Sequence, residues 1–232
     1  MTKLTMLIKK LSSQIFQVAM LVNIASFTPA FAQDKEDDKI KAATSVLNDF
    51  SQMKENIPAQ LMTLSQGIII VPKMINAGLL VGAKHGKGIA MIKGTNGQWS
   101  DPIFVTITGG SVGAQIGVQA TDLILVFKSS KTLTEIGKGS FTLGGDLSVA
   151  AGPVGRSSSA QTDYKLEAEV YSYSRSKGLF AGITLNGAAL SVDEKANNEF
   201  YDDSSDANTI LTSSHTSSNL VADLKNKLES FK

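Results

Sequence analysis

Residues 106–127 read TITGGSVGAQIGVQATDLILVF, and the fold turns on how they are understood. The last five, Leu123, Ile124, Leu125, Val126 and Phe127, are apolar at consecutive positions. A strand wetted on one face alternates, so an unbroken apolar run predicts a central strand covered on both faces. In the first half, Gly113 and Gly117 interrupt strand-forming residues, as Gly182 does further on. Glycine inside a strand marks a bulge or a close backbone approach, here in a strongly curved sheet.

Working outward, all 20 glycines of the 232-residue chain fall between Gly67 and Gly187. Within that span short apolar runs are separated by Gly, Asn, Asp and Ser, the punctuation of antiparallel strands. Strands are predicted at 68–71, 78–81, 89–93, 103–108, 122–127, 141–143, 147–151, 164–174 and 179–185. Leu166, Ala168 and Val170 alternate with Lys165, Glu167 and Glu169, which fits a sheet with one wet face. The fold class read from this is α+β: a curved, mainly antiparallel, glycine-rich sheet, barrel- or sandwich-like, with helices flanking it at both ends.

The N-terminal helix is written in Ile40, Ala43, Val46, Leu47, Phe50, Met53 and Ile57, spaced by three and four, with Asp37 or Asp38 as cap and Pro58 as stop. Its mixed-charge outer face suits a helix covering a core better than one lying on a membrane. Shorter helices are predicted at 131–136 and 193–200. Leu220, Val221, Leu224, Leu228 and Phe231 form one face of a C-terminal helix preceded by Ser217 and Ser218. The Ser-, Thr- and Asp-rich stretch before it reads as a linker.

Ahead of all this, Lys3, Lys9 and Lys10, an apolar segment at 15–25 and Ala30-Phe31-Ala32 have the layout of a secretory signal peptide cleaved after Ala32. The expected organisation is therefore a signal peptide at 1–32, an amphipathic helix at 33–56, a glycine-rich, strand-bearing domain at 57–203 and a linker with C-terminal helix at 204–232. Cleavage removes three lysines and no acids, leaving 19 basic against 21 acidic residues. A chain living on nucleic acid carries a strong basic excess, so nucleic-acid binding is not expected. With no cysteine, thiol chemistry, thiolate metal sites and a lipid-attachment cysteine are excluded. The expected location is the periplasm or the exterior of a bacterial cell.

Three patterns invite chemistry. Gly109-Gly110-Ser111-Val112-Gly113 matches the G-x-S-x-G nucleophile elbow, with Asp122, Asp146, Asp163 and His215 following it. The elbow needs a strand-to-helix turn, whereas the residues after Ser111 read as strand, so a serine esterase or lipase stays an alternative. Residues 82–88, GAKHGKG, are one residue short of a nucleotide phosphate loop. They have two readings: an anion site in which backbone N–H groups act with Lys84, Lys87 and His85, or a tight basic hairpin turn. Arg156, at the end of GPVGR, could meet a phosphate or pair with Asp146 or Asp163. His85 and His215 are the only histidines and neither has a carboxylate at ligand spacing, so no metal and no cofactor are expected.

GIIIVP at 67–72, VGAKHGKG at 81–88, the run from Trp99 to Phe127, FTLGGDLSVAAGPVGR at 141–156 and YSYSRSKGLFAGITLNG at 171–187 occur in an order that resembles the SYLF family of lipid-binding domains. The resemblance spans residues 57–211. It implies a non-enzymatic domain that binds membrane lipid; eukaryotic members are adaptors for phosphoinositides and actin, and bacterial members are exported. For this chain it implies anionic phospholipid as partner, with contacts from Lys84, His85, Lys87, Lys73, Arg156, Lys39 and Lys41, and apolar insertion besides. Actin binding is not expected. A remaining alternative is an envelope structural module making protein contacts through its C-terminal helix.

Overall fold

The computed structural model describes residues 29–53, 57–136, 140–152, 167–180, 185–201, 206–213 and 216–231. Residues 1–28 of the predicted signal peptide, Arg156, Asp163, Gly182 and His215 lie outside the described residues.

In chain order the elements are α1 (Pro29–Ser51), α2 (Ala59–Leu64), β1 (Gly67–Ile92), β2 (Ile103–Phe127), α3 (Ser130–Ile136), β3 (Ser140–Leu143), β4 (Val149–Ala151), β5 (Val170–Ser176), β6 (Leu179–Phe180), β7 (Ala188–Val192), α4 (Glu194–Tyr201), α5 (Ala207–Thr212) and α6 (Asn219–Ser230). Among the described residues seven strands form one sheet ordered β3-β7-β2-β5-β4, with β1 on β2 and β6 on β5, and of these pairs only β4 and β5 run parallel. The expected α+β class, with a mainly antiparallel curved sheet and a helix at each end, is what the chain adopts.

The sheet is built on one long ribbon. β1 has 26 residues and β2 has 25, paired antiparallel from Gly67↔Phe127 to Ala90↔Ile103. Drawn straight, β1 would span roughly 80 Å. Yet the N–H of Lys93, just after it, donates to the carbonyl of Gln66, just before it, at 2.9 Å. The ribbon must therefore double over. Two register shifts and a set of glycines allow this. Pro72 and Lys73 bulge out between the pairs Val71↔Leu123 and Met74↔Thr121; proline has no N–H to give the ladder, so it fits a bulge. Two extra residues of β2 lie between Leu79↔Ile116 and Leu80↔Gly113. Glycines fill the bend between them: a Cβ on Gly78 would stand 2.6 Å from Gly82 Cα, and opposite Gly78 sits Gly117 at φ +123°. Where the two limbs meet, a Cβ on Gly88 would fall 2.1 Å from the Ile70 carbonyl oxygen.

The predicted strands at 68–71, 78–81 and 89–93 are thus one strand, and so are those at 103–108 and 122–127. Residues 123–127 are central as expected, flanked by β1 and β5. Alternate residues serve two cores. Ile68, Ile70, Ile124, Val126, Tyr171 and Tyr173 face Ile40, Leu47 and Phe50 of α1 and Val221, Leu224 and Leu228 of α6. Ile69, Val71, Leu123, Leu125 and Phe127 face Leu133 and Ile136 of α3, Ile210 and Leu211 of α5, and Leu190 of β7.

Four sequence expectations need correcting. α1 begins upstream of Asp37 and Asp38, so neither caps it, and it ends at Ser51 rather than at Pro58. The stretch read as linker holds α5, whose N-cap Asp206 accepts from the Thr209 N–H at 2.8 Å. β7 was not foreseen. Ser218 stands at the N-cap of α6 without a capping side-chain bond.

Candidate functional site

Residues 82–88 are neither a phosphate loop nor a hairpin turn. They lie within β1, paired with residues 105–111 of β2. Strand geometry sends their side chains alternately to opposite faces. Lys84 faces the inside of the curl at 7% exposure, on the same side as buried Asn76, Gly86 and Gly88. Burial pushes its ammonium below the ordinary lysine value. His85 and Lys87 face outward and are exposed. In an extended strand successive N–H groups point to opposite edges and do not converge on one point, so residues 82–88 do not form an anion nest.

The outward cations are largely taken up by acids. Lys87 Nζ reaches Asp193 Oδ2 at 2.6 Å, tying β1 to the residue that precedes α4. Burial alone would raise the Asp193 carboxyl, but bonds from Lys87 and the Ala196 N–H, with the charges of Lys87 and Lys39, hold it below the usual carboxylate value. Lys39, on α1, pairs with buried Glu36 and sits 5.3 Å from the centre of the Phe104 ring. Lys41 pairs with Asp38 at 3.4 Å on the exposed side of the same helix. Lys73 is exposed, at φ +49°, and its N–H donates to Asp122 Oδ1 at 2.9 Å.

Asp122 also accepts from Arg175 of β5 at 2.7 Å, and the same guanidinium meets Asp49 of α1. This bridge locks α1 onto the sheet. Desolvation works against the Arg175 charge, but Asp122 and Asp49 outweigh it and raise its proton affinity. Lys39, Lys87 and Asp193 are therefore brought together, Lys73 stands with Asp122 and Arg175, and Lys84 is enclosed; the six expected contact residues that are described do not form one cluster.

Ser111 pairs with Gly82 in the middle of the β1–β2 ladder. A nucleophile elbow requires a sharp strand-to-helix turn, and Ser111 is on no such turn.

What the sequence reading did not single out is the bend itself. Val81 is 71% exposed, Val118 75% and Ile75 41%. Around them the ribbon has no acidic residue: none occurs in Gly67–Ile92, and β2 has none before Asp122. The signal was present as a missing residue type. β5 pairs with β2 only from Asp122 onward and β7 only up to Thr108, so among the described residues the bend is a two-stranded arm without a third strand.

A family model described as "Las17-binding protein actin regulator" (Ysc84) matches residues 108–231, more than half of the chain. The SH3 domain-containing YSC84-like protein 1 of Bos taurus is 33% identical over 198 residues, covering 82% of this chain and 58% of that protein. Its Homo sapiens counterpart is 34% identical over 168 residues, 69% of this chain and 49% of that protein. LAS seventeen-binding protein 3 of Saccharomyces cerevisiae is 32% identical over 184 residues, 78% and 40%. The chain spans about half the length of the curated relatives it matches.

Proposed function

Because this chain belongs to the Ysc84-type family of SYLF domains, we propose that it is a non-enzymatic module that binds membranes carrying anionic phospholipid. The observation that carries the reading is the charge pattern of the ribbon. Through β1, and through β2 as far as Thr121, the ionisable side chains are Lys73, Lys84, His85 and Lys87, with no carboxylate among them. A surface free of acids approaches an anionic leaflet without repulsion, and each cation held near it contributes about 1 kcal/mol. Among the described residues no helix is long and apolar enough to cross a membrane, so attachment in this reading is peripheral through the described part. We further place the protein outside the cytoplasm, on the strength of its basic, apolar and A-x-A start. Mass spectrometry of the purified protein should find Gln33 as its first residue.

The test is co-sedimentation of the processed protein with phosphatidylglycerol-containing vesicles against pure phosphatidylcholine. Preferential binding to the former is expected, with partial loss in Lys73→Glu. Lys84 and Lys87 are poor probes, since one is enclosed and the other holds Asp193. Equal binding to both vesicle types would remove the electrostatic half of the reading.

A second reading rests on the description of the family model, which speaks of Las17 binding and actin regulation, and on the name of the yeast relative, which speaks of Las17 binding. Those proteins are longer than the region matched, and we do not expect actin binding here. Sedimentation with filamentous actin decides the point.

A further inference from the structure

We propose that the bend of the β1–β2 ribbon is the edge by which this protein enters a bilayer surface, with Ile75, Val81 and Val118 seated among the lipid headgroups and upper acyl chains. The inference rests on the lipid-binding reading and assigns it a site. Of the five large apolar side chains exposed among the described residues, these three lie on the arm. A fourth, Leu179, lies in the β5–β6 hairpin, which is fastened to the arm where Ser176 Oγ accepts from Gln119 Nε2 at 2.7 Å. An apolar group left in water throughout one projecting feature is not explained by the fold, whose two cores lie elsewhere.

Charge selects the occupant. Lys73, at the base of the arm opposite Asp122, and Lys177 at the hairpin turn are both exposed, and the arm beyond that base has no acid. This suits an anionic surface. The apolar residues are aliphatic, with none of the Trp, Tyr or Arg anchors that dominate protein interfaces. Depth is limited by the backbone. Among the described residues the arm has no third strand, and backbone groups at a strand edge are costly in hydrocarbon, so side chains enter and the ribbon stays at headgroup level. α1 is not available for the same task, because Ile40, Ala43, Val46, Leu47 and Phe50 are all buried against the sheet.

The chain has no cysteine, so Val81→Cys, Val118→Cys and Leu64→Cys each give one thiol for a polarity-sensitive fluorophore. Leu64, 48% exposed on α2, is the control: it sits by the closed end of the ribbon, roughly 35 Å along it from Gly78. With phosphatidylglycerol-containing vesicles, labels at 81 and 118 should shift to the blue and the label at 64 should not. Val81→Asp with Val118→Asp should weaken co-sedimentation roughly tenfold or more at an unchanged unfolding midpoint. Full vesicle binding with silent labels at 81 and 118, or undiminished binding of the double variant, overturns the insertion edge while leaving lipid binding intact. A blue shift without vesicles that grows with protein concentration identifies a second copy as the occupant and also overturns it. No binding of the unsubstituted protein to either vesicle removes the underlying reading, and the edge with it.

Discussion

A single missing methyl group lets the ribbon close. A Cβ on Gly88 would fall 2.1 Å from the carbonyl oxygen of Ile70, and 2.9 Å from Val71 Cα. These are backbone atoms, which cannot swing aside as a side-chain end would. Gly88→Ala should therefore destabilise by about 2 kcal/mol or more through overpacking. For a chain of this size that lowers the thermal midpoint by roughly 4–8 °C. Gly110 is the control, since a Cβ there meets nothing within 4 Å and its φ is not in the left-handed region; Gly110→Ala should be neutral or mildly stabilising. The Lys87–Asp193 pair gives a second prediction at this scale. A carboxyl held below its unfolded value stabilises the fold above the unfolded value, near 3.9, and that stabilisation is lost as pH falls through the folded one. The acid limb of a stability–pH curve should accordingly be shallower below about pH 4 in Asp193→Asn than in the unsubstituted protein, with both curves parallel near neutrality.

At the scale of elements, α1 is a structural cover. Leu47 and Phe50 are fully buried, and Arg175 bridges Asp49 to Asp122. Phe50→Ala should cost about 3–5 kcal/mol and lower the unfolding midpoint by on the order of 10 °C. Vesicle binding by the fraction still folded should be unchanged. Loss of binding without loss of stability would mean that α1 leaves the sheet for the membrane. The helix was legible because its apolar residues recur at helical spacing; its start was not, because Asp37 and Asp38 resemble a cap whether or not the helix extends upstream. The strands were legible as strand-forming sequence but not as two continuous elements. Pro72, Gly78 and Gly82 are the residues that end strands elsewhere, and only the register with β2 reveals that here they bend one. The same ambiguity misplaced Lys84, whose inward orientation follows from strand pairing and not from composition. α5 was hidden by its polar neighbours: Ile210 and Leu211, which bury it, are too short a run to give periodicity.

At the scale of the whole molecule, charge is balanced overall and unevenly spread. The chain carries +1 in total, and three cations named from the sequence are neutralised locally, Lys39 by Glu36, Lys41 by Asp38 and Lys87 by Asp193, as Arg175 is by two acids. What remains to meet an anionic surface near the bend is Lys73 and Lys177. At about 1 kcal/mol each, they supply about 2 kcal/mol, or roughly thirtyfold in affinity. Raising salt from about 0.1 M to about 1 M shortens the screening length from about 10 Å to about 3 Å and removes most of that contribution. The binding isotherm on phosphatidylglycerol-containing vesicles should consequently weaken by no more than roughly thirtyfold over this range, and a residual affinity carried by the apolar bend should persist. Complete loss at high salt would assign the attachment to charge alone and leave Val81 and Val118 as bystanders. Salt-independent binding would do the reverse, making Lys73 and Lys177 dispensable and the aliphatic edge sufficient.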